Sequence, residues 1–99
     1  MNLLEKHQNE IQNLCIKHHV NQLYAFGSLV NEELKESSNV DLIVNFDTIH
    51  IKNYADNYFS FKYSLEAIFK RQVDLLEEKA LKNPYFNKIV ESQRQLVYG

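Results

Sequence analysis

Ten residues separate Gly27-Ser28 from the run Asn39-Val40-Asp41-Leu42-Ile43-Val44. The apolar run reads as a strand. Along a strand, positions i and i+2 point to one face, so Asn39 and Asp41 stand side by side at its start. Further on, Gln72-Val73-Asp74-Leu75-Leu76 places an acid in the middle of another apolar strand. A carboxylate there is expensive to bury alone, so a metal ion or a cationic group is expected beside it. Gly27 lets a ligand approach the backbone closely. Ser28 offers a hydroxyl and, with the residues after it, a helix N-terminus. The set suits phosphoryl or nucleotidyl transfer, which is mostly positioning and charge neutralisation. Two magnesium ions about 3.5–4 Å apart can hold the attacking and leaving oxygens in line. Each takes a few carboxylate oxygens, several waters and the substrate's phosphates. Asn39 stands where this chemistry most wants a further carboxylate. Its carbonyl oxygen can touch a hard cation, but it brings no charge.

The elements that must hold these residues follow from apolar spacing. Leu4, His7, Ile11, Leu14 and Cys15 recur at helical intervals, which predicts an amphipathic helix over 3–18 with Asn2 as its cap. Gln22–Phe26 is a short buried strand that ends at Gly27. Ser28 caps a short helix through about Lys35, and a polar loop leads to Asn39. Val40–Phe46 is the next strand, with Val40, Leu42, Val44 and Phe46 on one face and Asp41, Ile43 and Asn45 on the other. Tyr54, Tyr58, Phe61, Leu65 and Ile68 form one stripe of a long helix over 53–70. Gln72–Leu76 is a third strand. Asn83-Pro84 starts a helix, Asn as cap and Pro at its first position, that runs to about Leu96. Val97-Tyr98 adds a short edge strand. The expected fold class is α+β: one domain over 1–99, built as a small mixed β-sheet with helices packed mainly on one face.

Composition narrows the function classes. The 99 residues carry a net charge of −2 and only two arginines, Arg71 and Arg94. That argues against a grip on extended nucleic acid, which takes many phosphate contacts. A nucleotide ligand is not excluded. Cys15 is alone, so no internal disulfide forms, and it reads as a small buried residue. No apolar run is long enough for a membrane span, and the N-terminus lacks the apolar stretch of a secretory signal. The cytoplasm is the expected compartment. The adjacent His18-His19 lack the i, i+4 spacing of a helical zinc site. His7 and His50 are isolated. Glu77-Glu78-Lys79 reads as a solvated strand end, and the Tyr54/Tyr58/Phe61 stripe as core or partner surface.

The Gly27-Ser28 turn, the ten-residue gap, the strand opened by Asn39 and Asp41, and the later Val73-Asp74-Leu75 together resemble the signature of the nucleotidyltransferase superfamily. The likeness is to members with a polymerase-beta-like palm, in their minimal form, and it extends through the Pro84–Tyr98 tail. It implies that Asp41 and Asp74 are catalytic metal ligands, with Asp74 nearest the attacking hydroxyl. Gly27 and Ser28 would hold the outer phosphates. It implies Mg²⁺ or Mn²⁺ as cofactor and ATP or another nucleoside triphosphate as substrate, with AMP passing to a hydroxyl of a partner macromolecule. A chain this short is expected to need its acceptor from another chain: a small all-helical HEPN-type protein, as in toxin–antitoxin pairs of the minimal nucleotidyltransferases, or a further copy of itself. Two positions depart from the pattern. Asn39 occupies the site of the first acid, also a metal ligand in the pattern. Asn31 stands where an arginine three residues after the serine is frequent. Two readings therefore stay open: an active transferase, and a weak or inactive member that binds a helical partner.

Overall fold

The structure, a computed structural model, describes residues 3–27 and 39–99. Ser28, Asn31, the helix expected after Ser28 and the Asn2 cap all lie outside the described residues. The elements are α1 (Leu3–Lys6), α2 (Gln8–Lys17), β1 (Val20–Phe26), β2 (Val40–Phe46), α3 (Tyr54–Phe69), β3 (Val73–Glu77), α4 (Pro84–Gln93) and β4 (Gln95–Tyr98), with short 3₁₀ turns at Thr48–His50 and Glu78–Ala80. The four strands form one mixed sheet in the order β3-β2-β1-β4. β1 runs antiparallel to both neighbours, whereas β2 and β3 are parallel. Parallel strands need a crossover, and α3 supplies it.

The core forms on one face. Leu23 and Ala25 of β1, Val40, Leu42, Val44 and Phe46 of β2, and Val73 and Leu75 of β3 pack with Ile11 and Cys15 of α2 and Phe61, Leu65 and Phe69 of α3. This is the alternation expected for β2, and it places Asp41 and Ile43 on the opposite face. Ile43 is nevertheless fully buried. On that face Arg94, just after α4, lays its guanidinium 4.0 Å from the centre of the Tyr24 ring and reaches Glu78 at 3.4 Å. Cover on both faces is why β2 reads as a nearly unbroken apolar run. Burial pushes the Cys15 thiol up to about 12, so it packs as an inert apolar residue.

Polar side chains tie the layers together. His18, 4% exposed, donates from Nδ1 to the Leu14 carbonyl at 2.8 Å, since a carbonyl can only accept. Nε2 shares a hydrogen bond with the Ser60 hydroxyl at 3.1 Å, linking α2 to α3. At the edge of the sheet, Val73 N–H donates to Glu66 Oε2 at 3.0 Å, and the Tyr58 hydroxyl donates to the Leu75 carbonyl at 2.5 Å. Side chains of α3 thus occupy edge groups of β3 that would otherwise be free to template another strand. Tyr58→Phe is expected to cost about 1 kcal/mol, read as a melting temperature lower by about 4–8 °C.

Several boundaries differ from the sequence reading. The expected helix over 3–18 is interrupted at His7, whose φ of −114° and ψ of 20° are non-helical. Its ring turns inward to meet Phe69 edge-on at 5.9 Å, and Nδ1 pairs with Glu10 at 3.0 Å. β1 begins at Val20, two residues early, and β3 runs one residue later than expected. The last helix stops at Gln93 and β4 begins at Gln95, because Gln95 and Leu96 pair with Ala25 and Tyr24. Strand pairing there overrides a continuous helical pattern. Glu77 is no solvated strand end: it is half-buried and accepts a hydrogen bond from the Tyr54 hydroxyl.

Candidate active site

The C-terminal end of β1 and the N-terminal ends of β2 and β3 meet at one corner of the sheet. Phe26 is the cross-strand partner of Asp41, and Asp41 is the register partner of Asp74. The antiparallel β1/β2 pair sets Gly27 beside Asp41. The parallel β2/β3 pair brings the two carboxylates level on the face turned away from α2 and α3. Asp41 is half-buried and Asp74 is exposed. Asn39 completes the row, donating from Nδ2 to Asp74 Oδ2 at 3.3 Å.

Gly27 adopts φ +74°, and a Cβ built there would lie 2.8 Å from Asp41 Oδ2. The lack of a side chain therefore leaves the room that Asp41 uses to face the turn. Gly27→Ala is expected to cost about 1–2 kcal/mol, from left-handed backbone strain alone, and to displace the Asp41 carboxylate. Chemical denaturation measures the first effect, and titration with AMP-PNP the second.

The electrostatics of the corner favour a positively charged neighbour. Burial raises the Asp41 carboxyl above the usual carboxylate range, and the charge of Asp74 and a hydrogen bond with it push in the same direction. The donor set fits a hard cation: two carboxylates of neighbouring strands can share one, with room left for water and phosphate oxygens. Among the described residues no cluster of three His, Cys, Asp or Glu side chains could hold a metal.

Of the residues singled out in the sequence, the structure brings together Gly27, Asn39, Asp41 and Asp74; Ser28 lies outside the described residues. The contact from Asn39 to Asp74 carried no sequence signal, because it joins residues of different strands. A hollow of about 500 Å³ lies at the other end of the sheet, lined by His19, His50, Lys52 and Asn53 among others. His50 there is held by Asp47 through a 2.8 Å hydrogen bond. That hollow lacks a carboxylate pair facing a glycine turn, so volume does not mark the chemistry in this fold.

Comparison with known proteins agrees with this geometry. Residues 9–99 match the family described as "Polymerase beta, Nucleotidyltransferase". A provisionally named protein adenylyltransferase of Methanocaldococcus jannaschii is 31% identical over 96 residues, covering 97% of this chain and 90% of the relative. A solved structure provisionally described as a minimal nucleotidyltransferase superposes with a TM-score of 0.78 at 26% identity, covering 96% of this chain and 95% of the other. The MNT antitoxin fold also matches in a structure of a tri-AMPylated Shewanella oneidensis HEPN toxin in complex with MNT antitoxin. There the TM-score is 0.66 at 16% identity, covering 97% of this chain and 72% of the other.

Proposed function

Because this chain belongs to the polymerase beta nucleotidyltransferase family, we propose that it is a protein adenylyltransferase that moves AMP from ATP to a hydroxyl of a partner protein. The observation that carries the reading is the Asp41–Asp74 register pair at the end of parallel β2 and β3, beside Gly27. Gly27 and Ser28 hold the outer phosphates, and Asn39, Asp41 and Asp74 line the cation site. Held by these residues, Mg²⁺ or Mn²⁺ would supply charge neutralisation for the phosphates. Asp74, the exposed acid, receives the acceptor's proton as its oxygen bonds to the α-phosphorus. The bond from that phosphorus to the bridging oxygen breaks, and pyrophosphate leaves.

The acceptor belongs to another chain. The M. jannaschii relative carries the name of a protein adenylyltransferase, and the S. oneidensis complex pairs an MNT antitoxin with an AMPylated HEPN toxin. By that analogy the partner is a small helical HEPN-type protein and the chain acts as its antitoxin. The cytoplasm, where ATP and a reduced Cys15 coexist, is the compartment. Among the described residues no helix is long and apolar enough to cross a membrane.

A second reading is favoured by Asn39, whose amide occupies Asp74 where a carboxylate would add charge. In it the chain binds nucleotide and partner but transfers slowly or not at all. Incubation with α-labelled ATP, Mg²⁺ or Mn²⁺ and a HEPN partner separates the two. Label on the partner supports transfer. AMP-PNP binding without label supports the binder, and neither result removes both.

A further inference from the structure

Two ions and two carboxylates make a poor match. A two-ion centre for phosphoryl transfer places its cations about 3.5–4 Å apart, which calls for acids that reach both. Among the described residues the acids here are Asp41 and Asp74, and the third side chain of the row is neutral. Its contact agrees with its neutrality. Asn39 turns its Nδ2 to Asp74 Oδ2 at 3.3 Å. An N–H aimed at that oxygen takes up an acceptor position that an ion would need, and it puts a hydrogen-bond donor where the second ion's ligand would be.

Asp41 is oriented differently. Its Oδ2 lies where a Cβ on Gly27 would come within 2.8 Å. This oxygen therefore faces the glycine turn, the side from which the phosphates approach. The carboxyl groups of Asp74 and Asp41 are level across the parallel ladder. One ion fits between them with phosphate oxygens completing its shell.

We infer that this site takes one divalent cation per bound nucleoside triphosphate rather than two, and that Asn39 sets that count by placing an amide beside Asp74 where a second ion would need a carboxylate. The inference rests on the nucleotidyltransferase reading and adds a stoichiometry to it. It makes the uncharged side chain of Asn39 the feature that limits the count. It also makes the count of cations separable from activity.

The test is native mass spectrometry of the full chain with AMP-PNP and saturating Mn²⁺, backed by electron paramagnetic resonance of bound Mn²⁺. One Mn²⁺ per chain with AMP-PNP is expected for the parent sequence, and two for Asn39→Asp, which replaces the donor with a carboxylate. Asn39→Ala adds no carboxylate and is expected to stay at one. Two ions in the parent or in Asn39→Ala overturn the inference while leaving the nucleotidyltransferase reading intact, as does a single ion in a folded Asn39→Asp that retains nucleotide. Loss of AMP-PNP from every form overturns both. Should Asn39→Asp fail to fold, the parent and Asn39→Ala counts still decide the number of ions.

Discussion

Alanine at Asp41 or at Asp74 is expected to lower adenylyl transfer by about 10²–10⁴-fold, the range for losing a positioned acid–base or charge-bearing group. A thousandfold loss corresponds to about 4 kcal/mol of transition-state stabilisation. The two residues stand level across β2 and β3, so neither can take over the other's position. Folding should not suffer with activity. Burial and the neighbouring Asp74 both disfavour the charged form of Asp41, so its removal takes away a destabilised carboxyl. Thermal melting without divalent cations is expected to show Asp41→Ala at least as stable as the parent. Asn39→Asp should move activity the other way, each tenfold gain being about 1.4 kcal/mol, and Asp41→Ala in that background should remove the gain. Label transfer from ATP to a HEPN partner measures all four. Equal rates for parent and Asp41→Ala would remove this corner of the sheet from the chemistry.

The largest effect on stability is expected at Phe61. Its side chain is fully buried, with the Phe46 ring centre at 5.8 Å and the His18 ring centre at 5.4 Å. It is the point where α2, α3 and β2 meet. Phe61→Ala removes the ring from contact with all three and leaves a cavity that close-packed neighbours fill only in part. The cost is about 3–5 kcal/mol, against a total stability of about 5–15 kcal/mol for a domain. Urea unfolding should show a much lower midpoint with little change in slope, because the surface exposed on unfolding is nearly the same. A shift of under 1 kcal/mol would mean that the α2/α3/β2 junction repacks freely. Phe59, on the same helix but 46% exposed, serves as the contrast; its alanine variant is expected to lie within about 1 kcal/mol of the parent.

Local pattern in the sequence was enough for the parts that depend on one segment at a time. The Tyr54-to-Ile68 stripe determined which side of α3 meets the core, and the alternation in β2 determined which side carries Asp41. Gly27 marked the turn where backbone and ligand come close. The mid-strand position of Asp74 marked it as an acid in need of a partner. Periodicity encodes a face, however, and not a neighbour. That β3 lies parallel beside β2 with Asp74 level with Asp41, that Gly27 yields room to Asp41, and that Asn39 spends its amide on Asp74 are consequences of strand pairing between distant segments. So is the end of α4, where pairing of Gln95 with Ala25 wins over helical propensity, and so is the break at His7, where contact with Phe69 does. The residue types of the site were legible along the chain, and the family pattern already put Asn39, Asp41 and Asp74 at one metal site; the parallel register and the contacts within it, on which charge and cation count depend, came only from the sheet.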